Sequence, residues 1–224
     1  MGRITVLLAD DHPIVTEGLQ ALLQREFDLV GMVHDGRSLV STALALRPDV
    51  IVSDIFMPML NGLDAAKQLR AQNIESKIVV LTMYIDASLA AQAFRSGASA
   101  FVVKHAAGQE LVHAIKIAMN GGTFLSPLIG ESVDLVLERA LQPEHKIALT
   151  ARQREVLQLI GEGKTMKEIG NVLGISSRTA ETHKYEIMHA LSASTSAELV
   201  VYAIRLGLIS PGILAASADR SLPA

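Results

Sequence analysis

Ile4-Thr5-Val6-Leu7-Leu8-Ala9-Asp10-Asp11 sets six apolar or β-favouring residues directly before two adjacent acids. So short and apolar a run reads as a strand buried on both faces, since an amphipathic helix would return polar residues at a 3.6 spacing. The form recurs. Leu29–Val33, Val50–Ser53, Ile78–Thr82 and Ala100–Val103 are similar runs, and Asp54 and Lys104 follow directly on two of them. Amphipathic stretches lie between, near 14–25, 37–46, 62–72, 86–96 and 107–119. Five strands alternating with five helices predict a doubly wound α/β domain on a parallel five-stranded sheet, spanning residues 1–125. Reactive groups in such sheets gather at the carboxyl ends of the strands. That is where this chain puts its acids.

The 224 residues are half hydrophobic and about a fifth charged, a composition for packed domains and not for a disordered chain. No apolar run is long enough for a membrane span, and the N-terminus enters the first strand without a signal-peptide layout, so the expected location is cytoplasmic. The absence of cysteine excludes disulfides, thiolate zinc sites and Cys nucleophiles together. Net charge is −3, but it is unevenly spread. Residues 1–125 carry 10 Lys/Arg against 12 Asp/Glu, 126–147 carry 2 against 4, and 148–211 carry 7 against 6. Charge alone does not announce a nucleic-acid binder.

Composition shifts after Gly121-Gly122. Residues 126–147 read as a linker in which 126–146 form one helix, with Ile129, Val133, Val136 and Leu137 on one face and a break at Pro143. From Thr150 the pattern is all helical, with helices near 151–162, 165–173, 177–190 and 195–206. These predict a separate all-α four-helix domain over 148–211, followed by a flexible tail, 212–224. Thr150 and Ser177 suit N-caps, and Gly174 a helix exit.

Adjacent parallel strands would bring Asp10, Asp11 and Asp54 to one sheet edge. Like charges held side by side need a cation or a proton. Mg²⁺ is the natural occupant, since neither Cys nor clustered His offers softer ligands. Thr82 and Lys104 end the fourth and fifth strands and reach the same pocket. An incoming phosphoryl group would meet a metal, an ammonium, a hydroxyl and a carboxylate nucleophile. Single strand-end acids are usually turn or cap residues, as expected for Asp35 and Asp49; three acids together with a threonine and a lysine, all at strand ends, are not an ordinary accident.

Leu7-Leu8-Ala9-Asp10-Asp11-His12-Pro13, Asp54-Ile55-Phe56-Met57-Pro58-Met59-Leu60-Asn61-Gly62, Thr82 and Phe101-Val102-Val103-Lys104 together resemble the receiver domain of two-component systems, in order and spacing over residues 4–120. The resemblance implies that Asp54 accepts phosphate from a sensor histidine kinase. It implies that Asp10, Asp11, Asp54 and the backbone carbonyl of Phe56 hold Mg²⁺, and that Lys104 bonds the phosphoryl oxygens. Phosphorylation adds roughly −1.5 to −2 charges. Thr82 would then swing inward and Phe101 rotate into the vacated space, altering the face over 84–119. Phe56 and Tyr84, where the family varies, would shield the acyl phosphate from water. Many receivers follow the lysine with proline; here His105-Ala106 follows.

Gly163-Lys164-Thr165-Met166-Lys167-Glu168-Ile169 and Leu173-Gly174-Ile175-Ser176-Ser177-Arg178-Thr179-Ala180-Glu181-Thr182-His183 give a helix, a short turn and a polar-faced helix, the layout of a helix-turn-helix. On the second helix Ala180, Ile187 and Leu191 read as core, flanked by His183 and Lys184. Arg178, Glu181, Thr182 and Tyr185 fall on the other side. Residues 148–211 resemble the LuxR-type DNA-binding domain, and the whole chain the NarL/FixJ class of response regulators. The resemblance makes 177–190 the recognition helix, with Glu181, Thr182 and Tyr185 toward the bases and His183 beside them. Lys164, Thr165, Lys167, Arg178 and Lys184 suit phosphates of promoter DNA. Ala180 and Ala190 replace a customary Val and a customary basic residue, so modest affinity supported by a homodimer is expected. The last helix is apolar nearly all round; Glu198, Val201, Tyr202 and Arg205 are the candidate dimer residues.

Two other readings compete. An aspartate-nucleophile phosphatase needs a second acid two residues after Asp54, and Phe56 stands there, so a turnover enzyme is not expected. A phosphorylation-independent DNA-binding regulator would lack an acid or Lys104, and none is missing.

Overall fold

The computed structural model describes residues 2–142 and 149–212, in two compact units that divide between residues 143 and 144. The first unit runs β1 (Thr5–Ala9), α1 (Pro13–Glu26), β2 (Asp28–Val33), α2 (Gly36–Leu46), β3 (Val50–Asp54), α3 (Gly62–Ala71), β4 (Lys77–Thr82), α4 (Ala87–Arg95), β5 (Ala100–Val103), α5 (Ala107–Met119), β6 (Phe124–Leu125) and α6 (Val133–Leu141). All pairings are parallel, in the order β2-β1-β3-β4-β5-β6. The sheet thus has six strands where five were expected. β6 forms because the chain leaving α5 runs alongside β5 in the same direction, Phe124 N–H bonding Ser99 O and Ser126 N–H bonding Phe101 O. Two residues are too few to show an alternation in sequence.

The apolar strands are apolar throughout because both faces are covered. Val6, Leu8, Val52 and Leu81 belong to a core with Leu23 of α1 and Leu111 of α5. Their alternates Leu7, Ile51, Val80 and Phe101 belong to a second, with Leu39 of α2, Leu69 of α3, Leu89 of α4 and Val136 of α6. Each aliphatic side chain enclosed this way contributes roughly 1.5–3 kcal/mol. Asp35 and Asp49 take the structural parts expected of them. Asp35 caps α2 through Ser38 N–H, and Asp49 Oδ2 accepts from Thr5 N–H at 2.8 Å.

The helix expected over residues 126–146 is not one helix. Pro127–Ile129 form a 3₁₀ turn, Gly130 is left-handed, and α6 begins afresh on Ser132, whose hydroxyl accepts from Leu135 N–H. Its expected apolar face is nevertheless used: Val136 is buried and Ile129, Val133 and Leu137 pack on the same core. Arg95, last residue of α4, donates to the carbonyls of Ala140, Arg139 and Gln142 at the end of α6. The expected break at Pro143 and residues 213–224 of the expected tail lie outside the described residues.

The second unit is α7 (Ala151–Gly161), α8 (Met166–Leu173), α9 (Ser177–Leu191) and α10 (Ser196–Arg205) around Leu157, Ile169, Ala180, Ile187, Leu199 and Ala203. Thr150 and Thr165 close capping boxes with Gln153 and Glu168. The cap of α9 is Ser176, one residue before the expected Ser177; its hydroxyl accepts from Thr179 N–H at 3.0 Å. Gly174 ends α8 at φ 64°, as expected. Among the described residues no single helix is long and apolar enough to cross a membrane.

Candidate functional site

Ala9 pairs with Ser53, so Asp10 and Asp54 stand level at the carboxyl edge of the sheet. Asp54 lies opposite Leu81, and Thr82 opposite Val103, so Thr82 and Lys104 follow one and two residues farther along. Asp10 and Asp54 are buried. Lys104 reaches back between them, its Nζ 2.5 Å from Asp54 Oδ2 and 2.8 Å from Asp10 Oδ2. Phe56 N–H donates to Asp54 Oδ1 at 3.3 Å. A Cβ at Gly62 would stand 2.0 Å from the Asp54 carbonyl oxygen, so glycine is what lets α3 start this close to the acid.

Burial pushes the Asp54 carboxyl above its ordinary range and the Asp10 charge adds to this, against the charge and hydrogen bond of Lys104. Burial alone would lower Lys104, but Asp54 and Asp10 together hold it above its ordinary value. Lys104 therefore stays an ammonium, one cation beside three carboxylates. Asp10 Oδ2 and Asp11 Oδ1 are buried with no aligned hydrogen-bond donor, although by distance Lys104 pairs with the first and His12 Nδ1 with the second. Donor atoms of Asp10, Asp11, His12 and Asp54 all lie within 4.8 Å of one another. Oxygens short of positive charge, at this spacing, fit a hard divalent cation.

Thr82 is fully buried, and its hydroxyl accepts from Tyr84 N–H at 3.1 Å. Phe101 is fully enclosed in the core shared by α4 and α6. The rings of Phe56 and Tyr84 meet edge to face, centroids 5.2 Å apart.

In the second unit Arg178, Glu181, Thr182 and Tyr185 are exposed on one side of α9, and His183 and Lys184 half-buried beside them. The Thr182 hydroxyl donates to Arg178 O within the helix, and His183 Nδ1 stands 3.4 Å from Glu186 Oε2. Lys164, Thr165 and Lys167 are exposed where α8 begins, the Thr165 hydroxyl already engaged with Glu168. Lys164, Thr165 and Lys184 line one groove. The tight turn into α9 needs Gly170, where a Cβ would stand 2.7 Å from Ile175 O. On α10, Val201 is exposed, Glu198 accepts from Ser194 N–H, and Arg205 lies over the Tyr202 ring.

Residues 6–116 match the response regulator receiver domain, and residues 148–203 the luxR family of bacterial regulatory proteins. The chain belongs to the two-component response regulators with a LuxR-type helix-turn-helix. This response regulator is 37% identical over 213 residues to the transcriptional regulatory protein LiaR of Bacillus subtilis, covering 92% of this chain and 100% of LiaR. It is 33% identical over 215 residues to MctR of Rhizobium johnstonii, covering 93% and 96%. The RcsB response regulator of Salmonella typhimurium is similar in structure, with a TM-score of 0.54 and 25% identity over 90% of this chain and 98% of that one.

The receiver site of this response regulator includes two histidines to which the sequence pattern gives no part. His12 Nδ1 is 2.8 Å from Asp11 Oδ1, and His34 Nδ1 is 2.9 Å from the Asp10 carbonyl. The adjacency of His12 to the acids was a usable signal. His34 gave none, because only the pairing of β1 with β2 brings it to this edge.

Proposed function

We propose that this response regulator is a cytoplasmic, phosphorylation-switched transcription factor. A sensor histidine kinase gives its phosphoryl group to Asp54, and the modified receiver shifts homodimerisation and binding to promoter DNA. The observation that carries this reading is the convergence of Asp10, Asp11, Asp54 and Lys104 at one edge.

In the transfer an Asp54 carboxylate oxygen forms an O–P bond as the N–P bond of a phosphohistidine breaks, the electron pair leaving with the imidazole nitrogen. Lys104 opposes the effect of burial on Asp54, favouring the anion, and then bonds the phosphoryl oxygens. Asp10, Asp11, Asp54 and the Phe56 carbonyl are the residues to hold Mg²⁺, which when bound neutralises charge on the phosphoryl group. Thr82 gives up the Tyr84 N–H and donates to the phosphoryl group, and Phe101 adjusts beside it, carrying the change to the face over 84–119. The chain accepts a phosphoryl group and is not a turnover enzyme.

Glu181, Thr182 and Tyr185 face the bases, with Lys164, Thr165, Lys167, Arg178, His183 and Lys184 around them as positioning contacts. Glu198, Val201, Tyr202 and Arg205 form the dimer surface. RcsB, the structurally similar regulator, is described as two dimers bound to two parallel DNAs, which supports both parts.

The test is phosphorylation by acetyl phosphate with Mg²⁺, comparing native protein with Asp54→Ala by intact mass, dimer formation and DNA binding. The expected result is one phosphoryl group added to the native chain only. A gain that survives Asp54→Ala overturns the assignment.

A further inference from the structure

His12 stands at the mouth of the acidic site, and its position is built in. Its N–H donates to Asp10 Oδ1 at 3.0 Å, and its carbonyl accepts from the Thr16 hydroxyl at 2.9 Å. Pro13 follows and favours extended backbone at residue 12, which has φ −98° and ψ 105°. The imidazole is thereby aimed at the acids: Nδ1 is 2.8 Å from Asp11 Oδ1, 3.4 Å from Asp10 Oδ1 and 3.9 Å from Asp54 Oδ2. One nitrogen and three carboxylate oxygens lie within 4.8 Å of one another, the spacing of ligands around a single ion.

A neutral imidazole protonated at Nε2 offers a lone pair at Nδ1. Mg²⁺ prefers oxygen, whereas imidazole suits the later first-row transition ions. We propose that His12 is a further, nitrogen ligand of the divalent-cation site, raising its affinity for ions such as Co²⁺ while leaving Mg²⁺ to the oxygen ligands. The inference rests on Asp10, Asp11 and Asp54 being that site.

The test titrates Co²⁺ and Mg²⁺ into the full chain by calorimetry, and follows the visible Co²⁺ spectrum, for native protein, His12→Ala, His12→Phe and Asp11→Asn. The His12 side chain caps no backbone group of α1, so both replacements leave the fold intact. Both are expected to lower Co²⁺ affinity on the order of tenfold or more, to change the spectrum, and to leave Mg²⁺ affinity nearly as it was. An unchanged Co²⁺/Mg²⁺ ratio overturns the proposal, as does a loss in His12→Ala that His12→Phe restores, since phenyl has bulk but no lone pair. Asp11→Asn separates the two levels: if it weakens neither ion, the cation-site reading itself has failed.

Discussion

As the proposed phospho-acceptor Asp54 would react as the anion while buried, and Lys104 at 2.5 Å offsets part of the cost of burying that charge. The same enclosure bears on the lifetime of the acyl phosphate. Phe56 and Tyr84, which meet edge to face two residues beyond Asp54 and Thr82, are proposed to limit the approach of water. Phe56→Ala should therefore hydrolyse its acyl phosphate several-fold faster than native protein; an unchanged rate in a phosphate-release assay removes the shielding role. Gly62→Ala should be severe, because its Cβ would meet the Asp54 carbonyl at 2.0 Å. Overpacking of this kind costs about 1–3 kcal/mol, and here it also displaces Asp54, the proposed phospho-acceptor. Denaturant melts should show the first effect, and slower labelling by acetyl phosphate the second.

At the scale of elements, α6 and α8 are short helices held by specific end contacts. The Arg95 guanidinium covers three carbonyls at the end of α6. Arg95→Ala should loosen the last turn of α6 at a cost of about 1–3 kcal/mol, visible as faster hydrogen exchange over 136–141. In α8, Thr165→Ala should cost about 1 kcal/mol by removing the cap. Glu168 adds a pH dependence. The Thr165 N–H and then its hydroxyl hold this carboxyl below its ordinary value of 4.5. A lowered folded-state pKa stabilises fully above the unfolded value, and the gain disappears as pH falls through the folded one. Below about pH 4.5 the native melting temperature should therefore fall relative to Glu168→Gln, and parallel curves would contradict the contact. The Thr150 cap was legible in the sequence, whereas Thr165 was expected at DNA phosphates and not at a cap. The Arg95 contact was not legible, since it joins residues some 45 positions apart.

At the scale of the molecule, the two units have separate apolar cores. Unfolding should then be resolved as two transitions in calorimetry. Mg²⁺ binding only the folded receiver should raise that transition alone, by mass action. EDTA should reverse the shift and Asp11→Asn should abolish it. A shift of both transitions, or of neither, would count against a cation site confined to the receiver.

Sequence by itself determined the five longer strands and the helices other than α6, because apolar periodicity reports local burial. It also marked Asp10, Asp11, Asp54, Thr82 and Lys104, because strand ends can be counted along a chain. Tertiary structure decided the rest. Strand order set Asp10 level with Asp54, β6 added an edge pairing only two residues long, and α6 settled on α4 behind a left-handed Gly130. His34 became part of the acidic edge only once β1 and β2 were aligned, whereas His12 adjoins the acids in sequence. Local pattern specifies which face of an element is apolar. Which neighbour covers that face, and which distant side chain stands beside a charge, depends on contacts between residues far apart in sequence.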